Sequence, residues 1–165
     1  MFIPFNTLPD SARLWIYQSD RAFTPEEERA ISATLQAFVN EWHAHNQPLK
    51  TSFQVLHNYF IVLAVDEAQY EASGCSIDSS VRIIRQLGEQ TGINFFERTN
   101  VAVMLDEGIR LLKLPELKQA HENGAWNANT TVFDNSVLTK GDFEKRWRSP
   151  AGETWLKRYL SVAPV

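Results

Sequence analysis

The run KTSFQVLHNYFIVLAVDE, residues 50–67, decides how the rest of the chain is read. It is crowded with β-branched and aromatic residues and lacks a 3.6-residue apolar spacing, so a single helix is a poor reading of it. Cut at His57-Asn58, it becomes two strands, SFQVL and YFIVLAV, closed as a hairpin in which Asn58 accepts a turn conformation.

Working outward, RLWIYQS (13–19) is a strand with Leu14 and Ile16 on one face and Trp15 and Tyr17 on the other. Apolar residues on both faces predict cover on both sides. TPEEERAISATLQAFVNEW (24–42) is the clearest helix. Thr24 is placed to cap it, Pro25 suits the first helical position, and Glu27 completes a capping box. Ile31, Leu35, Phe38 and Trp42 then recur at helical spacing.

Beyond the hairpin, SIDSSVRIIRQLGEQTG predicts a second helix with Ile77, Val81, Ile84 and Leu87 on one face and Gly92 as its stop. NVAVMLD (100–106) is a further strand. The order β-α-β-β-α-β is that of an α+β, ferredoxin-like core.

The expectation is one domain over 1–165, with a core of about 12–107 and a helical, Trp-rich C-terminal extension of about 108–165 packed on it. That extension holds IRLLKL, a short helical PELKQAHENG, a strand-like TTVFDN and a helical end around Phe143, Trp147, Trp155, Leu156 and Tyr159. It is expected to cover the sheet face that the two helices leave open. A homodimer burying that face is the rival arrangement.

The formal charge of −4 over 165 residues argues against a generally basic nucleic-acid surface. A lone cysteine cannot make an internal disulfide, and no apolar run reaches membrane-spanning length, so a cytoplasmic location without membrane partners is expected. Between Lys140 and Arg158, six basic residues face three acidic ones with aromatics interleaved. The pattern suits phosphate contacts and base stacking, but it fits an amphipathic helix with a core face better.

Chain threading gathers WHAHN (42–46) and the segment from Val65 to Asp78 at one end of the sheet. His43, His45, Asp66, Glu67, Cys75 and Asp78 therefore share a pole. Cys75 beside the first turn of a helix lies near unpaired N–H groups that favour thiolate. His45 or His43 would serve as base, with Asp78 or Asp66 orienting the ring.

The plainer reading makes Cys75 a small residue where Ser73, Gly74 and Ser76 cap a helix. His-x-His with a cysteine or aspartate also offers metal donors, yet no C-x-x-C or H-E-x-x-H spacing supports a metal site. No cofactor is expected. Asp66 and Glu67 are adjacent at a strand end and point to opposite faces. His57 and His121 read as solvated, and Asp20 with Arg21 as a surface pair.

FIVLAVDEA has the look of a Walker B strand, and SGCSI that of an ABC signature. Their order is inverted, and no G-x-x-x-x-G-K-[ST] is present to cradle phosphates, which argues against ATP hydrolysis by this chain alone.

LPDSARLWIYQSDR, the F-x-x-x-W-x-x-H stretch of 38–45, VDE followed by SGCSID, FERTNVAV and VFDN together resemble a family of short uncharacterised bacterial proteins, mainly of the Bacteroidetes, often labelled ABC transporter ATPase. The resemblance spans most of the chain and brings no catalytic residues with it. Where that family has glycine after WHAH, this chain has Asn46, which also accepts a left-handed turn.

Two functions follow. One is a non-catalytic module binding a protein or small ligand through its sheet or tail. The other is a small thiol-dependent hydrolase or acyl transferase using Cys75.

Overall fold

A computed structural model describes residues 1–160; the last five residues of the expected extension lie outside it. The chain is an α+β protein with two principal antiparallel sheets. The first holds β1 (Arg13–Gln18), β4 (Lys50–Leu56) and β5 (Phe60–Asp66) in the order β1-β5-β4. The order matches the first three strands of a ferredoxin-like sheet. Helices α1 (Pro25–Glu41) and α2 (Gly74–Thr91) cover one of its faces.

Local chemistry sets these elements. The Thr24 side chain accepts from the Glu27 N–H at 3.1 Å, and the Glu27 carboxylate accepts from the Thr24 N–H at 2.9 Å, closing the capping box. Gly92, at φ 73°, ends α2 in the left-handed conformation. His57 and Asn58, at φ 54° and 61°, turn β4 into β5.

Strand β5 is buried along Phe60–Val65. Ile61, Leu63 and Val65 meet Ile31, Leu35, Ile84 and Leu87 of the helices, joined by Trp15 and Tyr17. Leu14, Ile16, Phe60 and Val62 face the other way, where Leu8, Phe133, Phe143 and Trp147 cover them. The chain's own tail occupies the face that a homodimer was invoked to bury.

The fourth strand departs from the ferredoxin-like expectation. β6 (Asn100–Leu105) joins β7 (Gly108–Lys113), β8 (Thr131–Phe133) and β9 (Arg148–Pro150) in a second sheet, ordered β7-β6-β8-β9. Asp106 and Glu107, with Gly108 at φ 119°, fold β6 straight back onto β7. The free edge of β1 takes residues 138–140 instead: the Leu14 N–H donates to Leu138 O, and the Lys140 N–H to Ala12 O, both at 2.9 Å.

The boundary near residue 107 thus falls inside a hairpin, and the extension is a sheet with short helices rather than a helical tail. Among the described residues its helices are α3 (Leu117–Glu122), α4 (Lys140–Arg146) and 3₁₀ turns. Trp126, 1% exposed, centres its core with Val103, Leu112, Leu117 and Leu156. No described helix is long and apolar enough to cross a membrane.

Smaller readings also change. Arg21 pairs with Glu27 at 2.7 Å rather than with Asp20, whose carboxylate accepts from the Asn94 N–H. In α2, Ile84 and Leu87 are buried as expected, but in the first turns Ser76 and Ser80 take the buried positions expected for Ile77 and Val81, which are half-buried. His121 is not simply solvated: its Nδ1 lies 2.9 Å from Trp126 O.

Candidate functional site

The pole of the first sheet is shaped by how α1 stops. Trp42 turns extended at ψ 125°, and β2 (His43–Ala44) pairs with β3 (Gln47–Pro48) as a miniature hairpin. Its turn is His45-Asn46, at φ 49° and 62°. Two residues with positive φ favour a tight hairpin, and asparagine tolerates that conformation.

Trp42 is 3% exposed, and its indole N–H donates to Ser76 O at 2.9 Å. That bond ties the end of α1 to the first turn of α2. There the Ser73 side chain caps the helix by accepting from the Ser76 N–H at 3.1 Å, while Ser76 Oγ donates back to Ser73 O at 2.8 Å. Cys75 sits between these two serines and is exposed.

A cavity of about 670 Å³ lies between the two segments. Phe38 and Trp42 give it an apolar wall; His43, His45, Ser73 and Cys75 line it with polar groups. The volume falls in the usual range for small-molecule sites. His43 Nδ1 lies 2.9 Å from Glu41 O. A carbonyl only accepts, so Nδ1 carries the hydrogen, and in the neutral ring Nε2 keeps a lone pair.

Of the sequence-derived candidates, Cys75, His43 and His45 share this cavity, while Asp66 and Asp78 do not line it. Asp66 Oδ1 accepts from the Ala68 N–H at 3.0 Å, an Asx turn that leads the chain out of β5. Glu67 accepts from the Ala72 N–H at 2.8 Å and lies 3.9 Å from Arg13. These carboxylates shape the loop ahead of α2. Asp78 is exposed on the helix, away from the cavity lining.

Glu41 is the one carboxylate among the lining residues and was not among the sequence-derived candidates. Phe38 and Trp42 were read only as core. A signal for the hairpin was present: His-Asn occurs at 45–46 and again at 57–58, and both copies turn strands. Among the described residues, no three His, Cys, Asp or Glu side chains gather closely enough to hold a metal ion.

Of the basic residues in the tail, Lys140 is turned inward, while Lys145, Arg146, Arg148, Lys157 and Arg158 are exposed. Lys140 is 5% exposed and donates to Leu8 O at 2.8 Å; Arg146 pairs with Asp134 at 2.6 Å; Arg158 lies 5.3 Å from the Trp155 ring. Compared with known proteins, the chain matches no family model, no curated protein and no solved structure.

Proposed function

We propose that the protein is a non-catalytic binding module whose ligand enters the cavity between the end of α1 and the start of α2. One observation carries this reading: a cavity of about 670 Å³ with a buried indole in its wall and two imidazoles, hydroxyls and a thiol lining it. An apolar wall with a few converging polar groups is how small-molecule sites gain both affinity and orientation. The sheet face away from the helices is covered by one side of the tail.

A second reading has an observation of its own. Cys75 is exposed in the first turn of an 18-residue helix and shares its cavity with a histidine whose Nε2 is a base when the ring is neutral. In an acyl-transfer enzyme the sulfur would add to the acyl carbon as the imidazole takes the thiol proton, returning it to the leaving group.

A small-fragment screen followed in ¹H–¹⁵N spectra separates the two. Binding predicts fragments that move the Trp42 indole N–H and the Ser76 amide, equally well in wild type and Cys75→Ser. No fragment acting at these signals contradicts it. The enzyme reading requires esterase or acyl-transfer turnover that Cys75→Ser abolishes.

A further inference from the structure

A second cavity opens on the seam between the two sheets, about 420 Å³ in volume, lined by residues of β1, α2, the 95–98 loop, β6 and the turn after β8. Its floor is a relay of side chains. The Trp147 indole N–H donates to Asn135 Oδ1 at 3.0 Å, Asn135 Nδ2 donates to Gln18 Oε1 at 3.0 Å, and Gln18 Nε2 donates to Asn100 O at 3.2 Å.

An indole N–H can only donate, which fixes the orientation of the Asn135 amide and, through it, that of Gln18. Each amide nitrogen has one hydrogen committed and a second left over. The relay therefore offers these two N–H donors to the cavity.

The walls add one side chain of each charge. Arg98 lines the cavity, and no carboxylate among the described residues lies within ion-pair distance of it. Glu97, the one lining carboxylate, accepts through a single oxygen from the Thr99 hydroxyl at 2.6 Å and N–H at 2.8 Å, bonds that hold its carboxyl below its ordinary pKa. Burial pushes the Tyr17 hydroxyl above its ordinary pKa, against a weaker pull from Ser80, so it remains a neutral O–H.

Phe96 supplies an aromatic surface beside these donors. It is 38% exposed, unusual for a phenylalanine, and its loop is held in place by Asn94 Oδ1 accepting from the Phe96 N–H and by Asp20 accepting from the Asn94 N–H, both at 2.9 Å. The Tyr17 ring meets it edge-on at 5.9 Å.

We propose that this cavity is a second ligand site, separate from the one between α1 and α2, that takes a small aromatic carboxylate. The ring lies against Phe96, and the carboxylate accepts from Arg98 and the Gln18 and Asn135 amides.

The test is a ¹H–¹⁵N titration of the full chain with benzoate, and in parallel with benzylamine. Benzoate is expected to shift the Gln18 and Asn135 side-chain amides saturably and to bind about tenfold tighter than benzylamine. Arg98 is exposed and bears no fold contact named above, so Arg98→Gln should keep the wild-type spectrum and weaken benzoate about tenfold. Cys75→Ser should leave the affinity unchanged. Unmoved amides, equal binding of benzylamine, or full affinity in Arg98→Gln would each overturn the site.

Discussion

The two sheets reach burial by different means. In the first, long elements with local start and stop signals lay aliphatic stripes on a central strand, and Ile31, Leu35, Ile84 and Leu87 share the load with Ile61, Leu63 and Val65. In the second, strands β8 and β9 are three residues each and α3 is six, so a single ring, Trp126, fills the space that helices fill in the first. A core of many medium side chains spreads the cost of losing one. A core arranged about one large ring concentrates it.

The sharpest way to break this comparison is Trp126→Ala. It removes a ring 1% exposed together with the hydrogen bond its indole donates to Leu117 O at 2.9 Å. A loss of about 3–5 kcal/mol in urea unfolding is expected. Amide exchange should accelerate in β6 to β9 before β1, β4 and β5. Equal acceleration in both sheets would erase the distinction between them.

The first sheet has its own intolerant point, where α2 packs on the chain that follows it. A Cβ on Gly88 would stand 2.7 Å from Ile93 O, a backbone atom with little room to yield. Gly88→Ala should therefore cost about 1–2 kcal/mol, the clash outweighing the helix propensity alanine adds. A stabilised variant would show that the turn after Gly92 is looser than drawn.

The smallest effect is electrostatic and belongs to the start of α1. The Arg21 guanidinium, and then the Thr24 N–H, hold the Glu27 carboxyl at about 2, below its ordinary 4.5. A carboxyl lowered by folding gives stability that is fully present above pH 4.5 and is lost as pH falls from there towards about 2. Glu27→Gln should lower stability at neutral pH and flatten that part of the acid-unfolding curve, converging on wild type as pH falls towards 2; an unchanged acid limb would contradict the pairing.

The same contrast explains what was legible beforehand. Thr24, Pro25 and Glu27 announce α1, and Gly92 ends α2, because capping is chemistry between near neighbours. The meeting of Cys75 with His43 and His45 was legible too, because it follows from element order and not from side-chain detail.

Strand β6 was read correctly as a strand and placed in the wrong sheet. Its apolar residues satisfy either neighbour, and the choice rests on the turn at Gly108 and on residues 138–140 taking the edge of β1. The buried stripe of α2 was misjudged because Ser76 and Ser80 count as polar. Both return their hydroxyl hydrogens to carbonyls three residues back, at 2.8 Å and 2.6 Å, and so are buried without an unmet donor. The seam cavity left no trace in local pattern, since Gln18, Asn100 and Asn135 are far apart in the chain and meet only through tertiary packing.

That the end of α1 and the start of α2 enclose a single ligand cavity is tested most directly by the rate at which iodoacetamide modifies Cys75, with and without a saturating fragment selected at the Trp42 indole. A bound fragment should slow modification about tenfold or more, because thiol and ligand compete for one space. An unchanged rate at saturation would mean that the fragment and the thiol do not share a cavity.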